Sequence, residues 1–161
     1  MKSDWKNGRP QKRCPNRQSA LAARIDIRSV DSNNRAMTKP EAVRRIKSYS
    51  AANGYVYQYC FYDLNRVELD GRPATEFIYA ISANRATSFG LRIFLMKKAL
   101  EDWALANGRA LSSSEEYAVA KMRLFQAFDE GAVPITAEEG RGVILVVDGS
   151  NLEDLLRALN I

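Results

Sequence analysis

The chain of 161 residues contains no histidine, two cysteines and five prolines. Without histidine there is no Ser-His-Asp triad, no Cys-His pair and no His-ligated metal. Cys14 and Cys60 fall in different settings, one in a polar N-terminal stretch and one in an expected strand. They make neither a disulfide framework nor a cysteine-only zinc site, and a reducing, cytoplasmic location is the expectation. No apolar run reaches the roughly 18 residues that a membrane span needs, so no membrane association is expected. The N-terminal basic residues precede no apolar stretch of secretory-signal length. Phosphate-cradling loops are missing too, both the G-x-G-x-x-G and the G-x-x-x-x-G-K-[ST] kind.

What is present is an ordinary globular composition, 46% hydrophobic and 27% charged, with a net charge of +5. The charge is unevenly placed. Residues 1–36 hold nine basic and three acidic side chains, residues 37–109 hold 11 and seven, and residues 110–161 hold four and nine. The excess of positive charge therefore belongs to the first 36 residues, where Lys6-Asn7-Gly8-Arg9-Pro10 and Arg13-Cys14-Pro15-Asn16-Arg17 are turn and breaker chemistry. The division expected is a basic tail over 1–36 and one domain over 37–161, with Met37 as a second candidate start of translation. Lys12, Arg13 and Arg17 are the residues through which such an arm would grip nucleic-acid phosphates by counterion release.

Along the domain, Thr38-Lys39-Pro40-Glu41 has the chemistry of a capped helix start. Val43, Ile46 and Tyr49 follow at helical spacing up to Asn53-Gly54, which predicts a first helix. The period then changes to two. Strands are expected over 55–62, 75–82 and 88–95, with a polar connection from Asp63 to Ala74. Helices follow over 97–107 and from Ser112 or Ser113 to about Phe128. Gly131 to Gly142 reads as a loop, Val143–Val147 as a short strand, and a leucine-striped last helix opens at Ser150. The order α-β-β-β-α-α-β-α describes an α+β domain: a three-stranded antiparallel meander with flanking helices and a candidate fourth strand.

Alternation sorts the strand residues into two faces. One, from Tyr55, Tyr57, Tyr59 and Phe61 through Phe77, Tyr79 and Ile81 to Phe89, Leu91, Ile93 and Leu95, is apolar and suits packing against helices. The tyrosine row could also be a stacking platform for bases or a partner, but four aromatics at period two are more often core. The other face mixes apolar residues with Gln58, Tyr62, Glu76 and Arg92, the candidate ligand or partner contacts. Glu76 and Arg92 meet if the second and third strands pair closely, and the plain alternative is a cross-strand ion pair.

Two patterns touch known families. Val146-Val147-Asp148-Gly149-Ser150-Asn151 is similar to the first metal-binding strand of PIN-like nucleases and to the start of metal-adhesion sites. Both need further acidic ligands downstream, whereas the ten residues after Asn151 form one leucine-rich helix. A turn at Asp148-Gly149 and a cap at Ser150 account for every residue. The α-β-β-β-α order, with Lys97-Lys98 near the following helix start, resembles double-stranded RNA-binding domains in topology only. The near-neutral domain lacks the basic stripe that function needs. Adjacent carboxylates such as Glu115-Glu116 point apart on a helix and make no two-carboxylate site. The expectation is a small binding or regulatory domain without catalysis or cofactor. It would hold a protein partner, a small ligand or a second copy of itself. The alternative is a nucleic-acid-associated protein acting through the basic arm.

Overall fold

A computed structural model describes residues 44–85 and 87–161. The tail over 1–36, with Lys12, Arg13 and Arg17, and the capping motif at Thr38–Glu41 lie outside the described residues. The elements are β1 (Lys47–Ser50), β2 (Val56–Leu69), β3 (Arg72–Ser82), β4 (Phe89–Met96), α1 (Lys97–Asn107), α2 (Ser113–Asp129), α3 (Ala137–Gly140), β5 (Ile144–Val147) and α4 (Leu152–Ala158). The five strands form one sheet in sequential order, antiparallel from β1 to β4 and parallel between β4 and β5. The architecture is a mixed α and β domain with a mostly antiparallel sheet, larger than the expected meander. Among the described residues, no helix is long and apolar enough to cross a membrane.

Two expectations fail for identifiable reasons. The predicted first helix gives way to β1, because Lys47–Ser50 pairs antiparallel with Val56–Tyr59. Tyr49 serves this strand better than a helix face. Its ring stacks on Phe125 at 4.2 Å, and its hydroxyl donates to Asp129 Oδ2 at 2.8 Å. The expected polar connection from Asp63 to Ala74 is instead two long strand arms joined by a two-residue turn. Asp70 and Gly71 take φ of 51° and 73°, the pair of left-handed conformations of a type I′ hairpin. A bulge at Tyr62 breaks the β2–β3 register between Phe61 and Asp63. Before it, odd-numbered residues of β2 share a face with Tyr79 and Ile81; after it, even-numbered ones do.

The predicted apolar face is the core. Tyr57, Tyr59, Phe77, Tyr79, Ile81, Phe89, Leu91, Ile93 and Leu95 are buried, Phe61 is half-buried and Tyr55 is exposed. The aromatic row lies beneath α2: Tyr57 stacks on Phe128 at 4.2 Å, and Tyr59 meets Phe125 edge-on. These rings are packing, and burial of each contributes about 2–3 kcal/mol. Ser112 resolves the α2 start: its Oγ accepts from the Glu115 amide while Glu115 reaches back to the Ser112 amide. The loop over 131–142 contains α3, whose Gly140 lies against the Phe89 ring.

Candidate functional site

The second sheet face carries the polar residues singled out by alternation, and the structure divides them. Glu76 is buried at 4% exposure, and Arg92 Nε donates to its Oε1. They are diagonal neighbours on adjacent strands, since Ile78 faces Arg92 and Glu76 faces Phe94. Asn65, which faces Glu76 from β2, donates through Nδ2 to Glu76 Oε2 at 3.1 Å. Asn65 was not foreseen, because it falls in the stretch from Asp63 to Ala74 that reads as a polar connection rather than a strand. The Arg92 guanidinium rests 4.9 Å from the Phe94 ring centre.

Gln58 and Tyr62 do not join this group. Gln58 faces Ser82, six residues along β3 from Glu76, or roughly 20 Å at strand rise. Gln58 Oε1 and Ser82 Oγ are buried and hold no hydrogen-bond partner among the described residues. Tyr62 sits at the bulge, with the Arg44 guanidinium 3.9 Å from its ring centre. Between them lies buried Cys60. Burial raises its thiol pKa, outweighing the opposing pull of Arg44, so it is not the activated thiolate a nucleophile requires.

A concave site lies further along the same face, at the carboxyl ends of β4 and β5. This is where ligands sit in open sheets with parallel strands. The cavity, about 500 Å³, is floored by Pro73, Met96 and Ala99. Its polar wall comes from Arg72 on β3, from Lys97, Lys98, Glu101 and Asp102 on α1, and from Asp148–Ser150 after β5. Each lysine is bridged one turn along α1: Lys97 Nζ to Glu101 at 3.6 Å, and Lys98 Nζ to Asp102 at 2.9 Å. Such exposed pairs contribute only about 0.3–0.5 kcal/mol each and yield readily to a ligand. A shallower depression of about 580 Å³ lies on the outer side of α1 around Leu105 and Arg109, open to solvent.

The segment Asp148–Asn151 is a built turn, differing from the expected cap. Ser150 donates both its amide (2.9 Å) and its hydroxyl (2.6 Å) to Asp148 Oδ1. Those two donors hold the Asp148 carboxyl below the usual carboxylate range, with a smaller contribution from Arg72. Asn151, not Ser150, is the N-cap position of α4. It ties the turn to β5 by accepting from the Asp148 amide and donating to the Val146 carbonyl. Among the described residues, no three His, Cys, Asp or Glu side chains are grouped as metal ligands. The strand-end Asp-Gly-Ser-Asn was the sequence signal for this place, but only the sheet order shows that a cavity opens beside it.

No family model, no curated protein and no solved structure matches the chain.

Proposed function

We propose that this protein is a small binding or regulatory module that takes a ligand in the cavity at the carboxyl ends of β4 and β5. The observation that carries this reading is the composition of that cavity. Three chain segments converge on an apolar floor of Pro73, Met96 and Ala99, ringed by charges of both signs. Small-molecule sites are built that way, with apolar lining for affinity and a few placed polar groups for orientation. The groups at hand are suited to binding and orienting a ligand. Asp148, locked by Ser150 and Asn151, and Arg72 opposite are the orienting pair.

The test is a ligand-observed NMR screen of a fragment library, with the Met96 methyl signal as the site reporter. The control is Gly149→Phe. A β-carbon at Gly149 meets nothing within 4 Å, so this lining position accepts a side chain, and the ring is introduced to narrow the cavity. Fragments that shift the Met96 methyl should lose binding in Gly149→Phe. A screen in which no fragment moves Met96, or in which Gly149→Phe binds as well as the parent, refutes the reading.

The charge layout favours a second reading, a nucleic-acid-associated protein gripping phosphates through its basic N-terminal arm. It predicts binding that weakens steeply with salt. Replacing Lys12, Arg13 and Arg17 together by Gln should reduce the slope of log affinity against log salt by about 2–3. Binding to single- or double-stranded probes that is unchanged in the triple variant sinks it.

A further inference from the structure

We infer that Arg92 is a preset recognition group for a ligand carboxylate attached to an apolar group, a site separate from the cavity. A guanidinium offers two edges for hydrogen bonding. Here Glu76 Oε1 takes Nε alone, and its second carboxylate oxygen accepts from Asn65 Nδ2. The two terminal Nη groups hold no partner among the described residues, and the Arg92 side chain is 51% exposed. That terminal edge has the fork geometry that matches a carboxylate bidentately.

The surroundings narrow the ligand. Arg92 stands in the middle of a cross-strand row, facing Ile78 on one side and Ile144 on the other, with Asp63 beyond Ile78. Ile144 is exposed and Ile78 half-buried. A bare anion would use the guanidinium and leave these side chains untouched. A carboxylate carrying an aliphatic or aromatic group would cover one of them as well. The pair with Glu76 is also poorly explained by stability alone. A buried carboxylate is costly to desolvate, and an apolar pair of similar volume serves a core at least as well. Its effect is to fix the direction of Arg92, which long side chains do not otherwise hold without losing rotamer entropy.

The experiment uses the full chain and follows the Arg92 side-chain Nε–Hε signal and the Ile78 and Ile144 methyls by NMR. N-acetyl-leucine is the probe, with N-acetyl-leucinamide and inorganic phosphate as comparisons. N-acetyl-leucine should shift the Arg92 signal and at least one isoleucine methyl saturably, in the millimolar range, while the amide moves neither. Arg92→Lys keeps the charge but loses the fork and should weaken binding about tenfold. Glu76→Gln keeps the shape but loosens the guanidinium and should weaken it several-fold. The backbone spectra of both variants show whether the fold is intact, and a variant that does not fold is replaced by Arg92→Gln, which should abolish binding. The inference is overturned if N-acetyl-leucine leaves Arg92 unmoved, if the amide binds as well, if phosphate binds equally, or if a folded Arg92→Lys retains full affinity. A fragment-occupied Met96 cavity alongside an unmoved Arg92 would defeat this inference and leave the cavity reading standing.

Discussion

Removing the two partners of the Glu76–Arg92 pair one at a time should have very unequal effects, and the inequality follows from burial. The Glu76 side chain is 5% exposed and that of Arg92 is 51% exposed. Arg92→Ala leaves a buried carboxylate whose remaining side-chain donor among the described residues is Asn65. Breaking a buried pair this way costs about 3–5 kcal/mol. The lower end applies here, because truncating a half-exposed side chain lets water approach from that side. Glu76→Gln leaves a guanidinium that can turn to solvent and an amide that still accepts from Asn65, for about 1 kcal/mol. Glu76→Gln combined with Arg92→Ala removes the uncompensated charge and should recover about 1–2 kcal/mol relative to Arg92→Ala alone. Urea unfolding followed by tryptophan fluorescence reads these differences. At an m-value of about 1–3 kcal/mol/M, Arg92→Ala should lower the midpoint by roughly 1–3 M. Equal losses for Arg92→Ala and Glu76→Gln, or a double variant no more stable than Arg92→Ala, would refute the argument that Glu76 is the buried member of the pair.

Other parts of the fold give equally direct expectations. A β-carbon at Gly140 would lie 2.5 Å from the ring of buried Phe89, so Gly140→Ala should cost about 1–3 kcal/mol by thermal or urea unfolding, and Phe89→Leu in the same chain should restore part of it. Phe128→Ala removes the ring stacked on Tyr57 and should cost about 3–5 kcal/mol, whereas Tyr57→Phe loses only the 3.2 Å hydroxyl bond to the Val133 carbonyl, about 1 kcal/mol. The Arg109 guanidinium and the Ser112 amide and hydroxyl lower the Glu115 pKa to about 2. A carboxylate whose folded pKa is depressed stabilises above its unfolded pKa, near 4.5, and loses that contribution as pH falls toward about 2. A carbon-detected titration of Glu115 should place its midpoint well below the other glutamates, and Glu115→Gln should flatten the stability profile across that window. Ser112→Ala, which removes the cap itself, should cost about 1 kcal/mol.

The ways in which the sequence misleads share a physical cause, and that cause also built the candidate sites. Patterns resolved within one element were legible. The α1 bounds at Lys97 and Asn107, the capping box of α2 and the buried Phe77-Tyr79-Ile81 row needed only local spacing. Patterns decided by a partner strand were not. Val43, Ile46 and Tyr49 fit a helical period, but Lys47–Ser50 is claimed by pairing with Val56–Tyr59, a contact whose value appears only in the folded sheet. In the second half of β2, the bulge at Tyr62 reverses which residues face which way. Leu64, Arg66 and Glu68 then read as a polar connection, although they are exposed strand positions on the face of Phe77 and Tyr79. Arg66, carried to the helix side, lies near Glu116 of α2, whose carboxyl burial raises while Arg66 lowers it. Asn65, carried to the other side, reaches Glu76 and donates to the carboxylate oxygen that Arg92 Nε does not use. The one inserted residue therefore hid the hairpin from a period-two reading and sets Asn65, where strict alternation would set Leu64, opposite Glu76. Deleting Tyr62 should make Phe61–Tyr79 and Asp63–Ile78 consecutive pairs of a regular ladder and leave Asn65 opposite Glu76. The Arg92 Nε–Hε signal and N-acetyl-leucine binding should then stay as in the parent. A folded deletion variant whose Arg92 signal moves and whose binding falls would show that the extra residue does more than set which side chain of β2 faces Glu76.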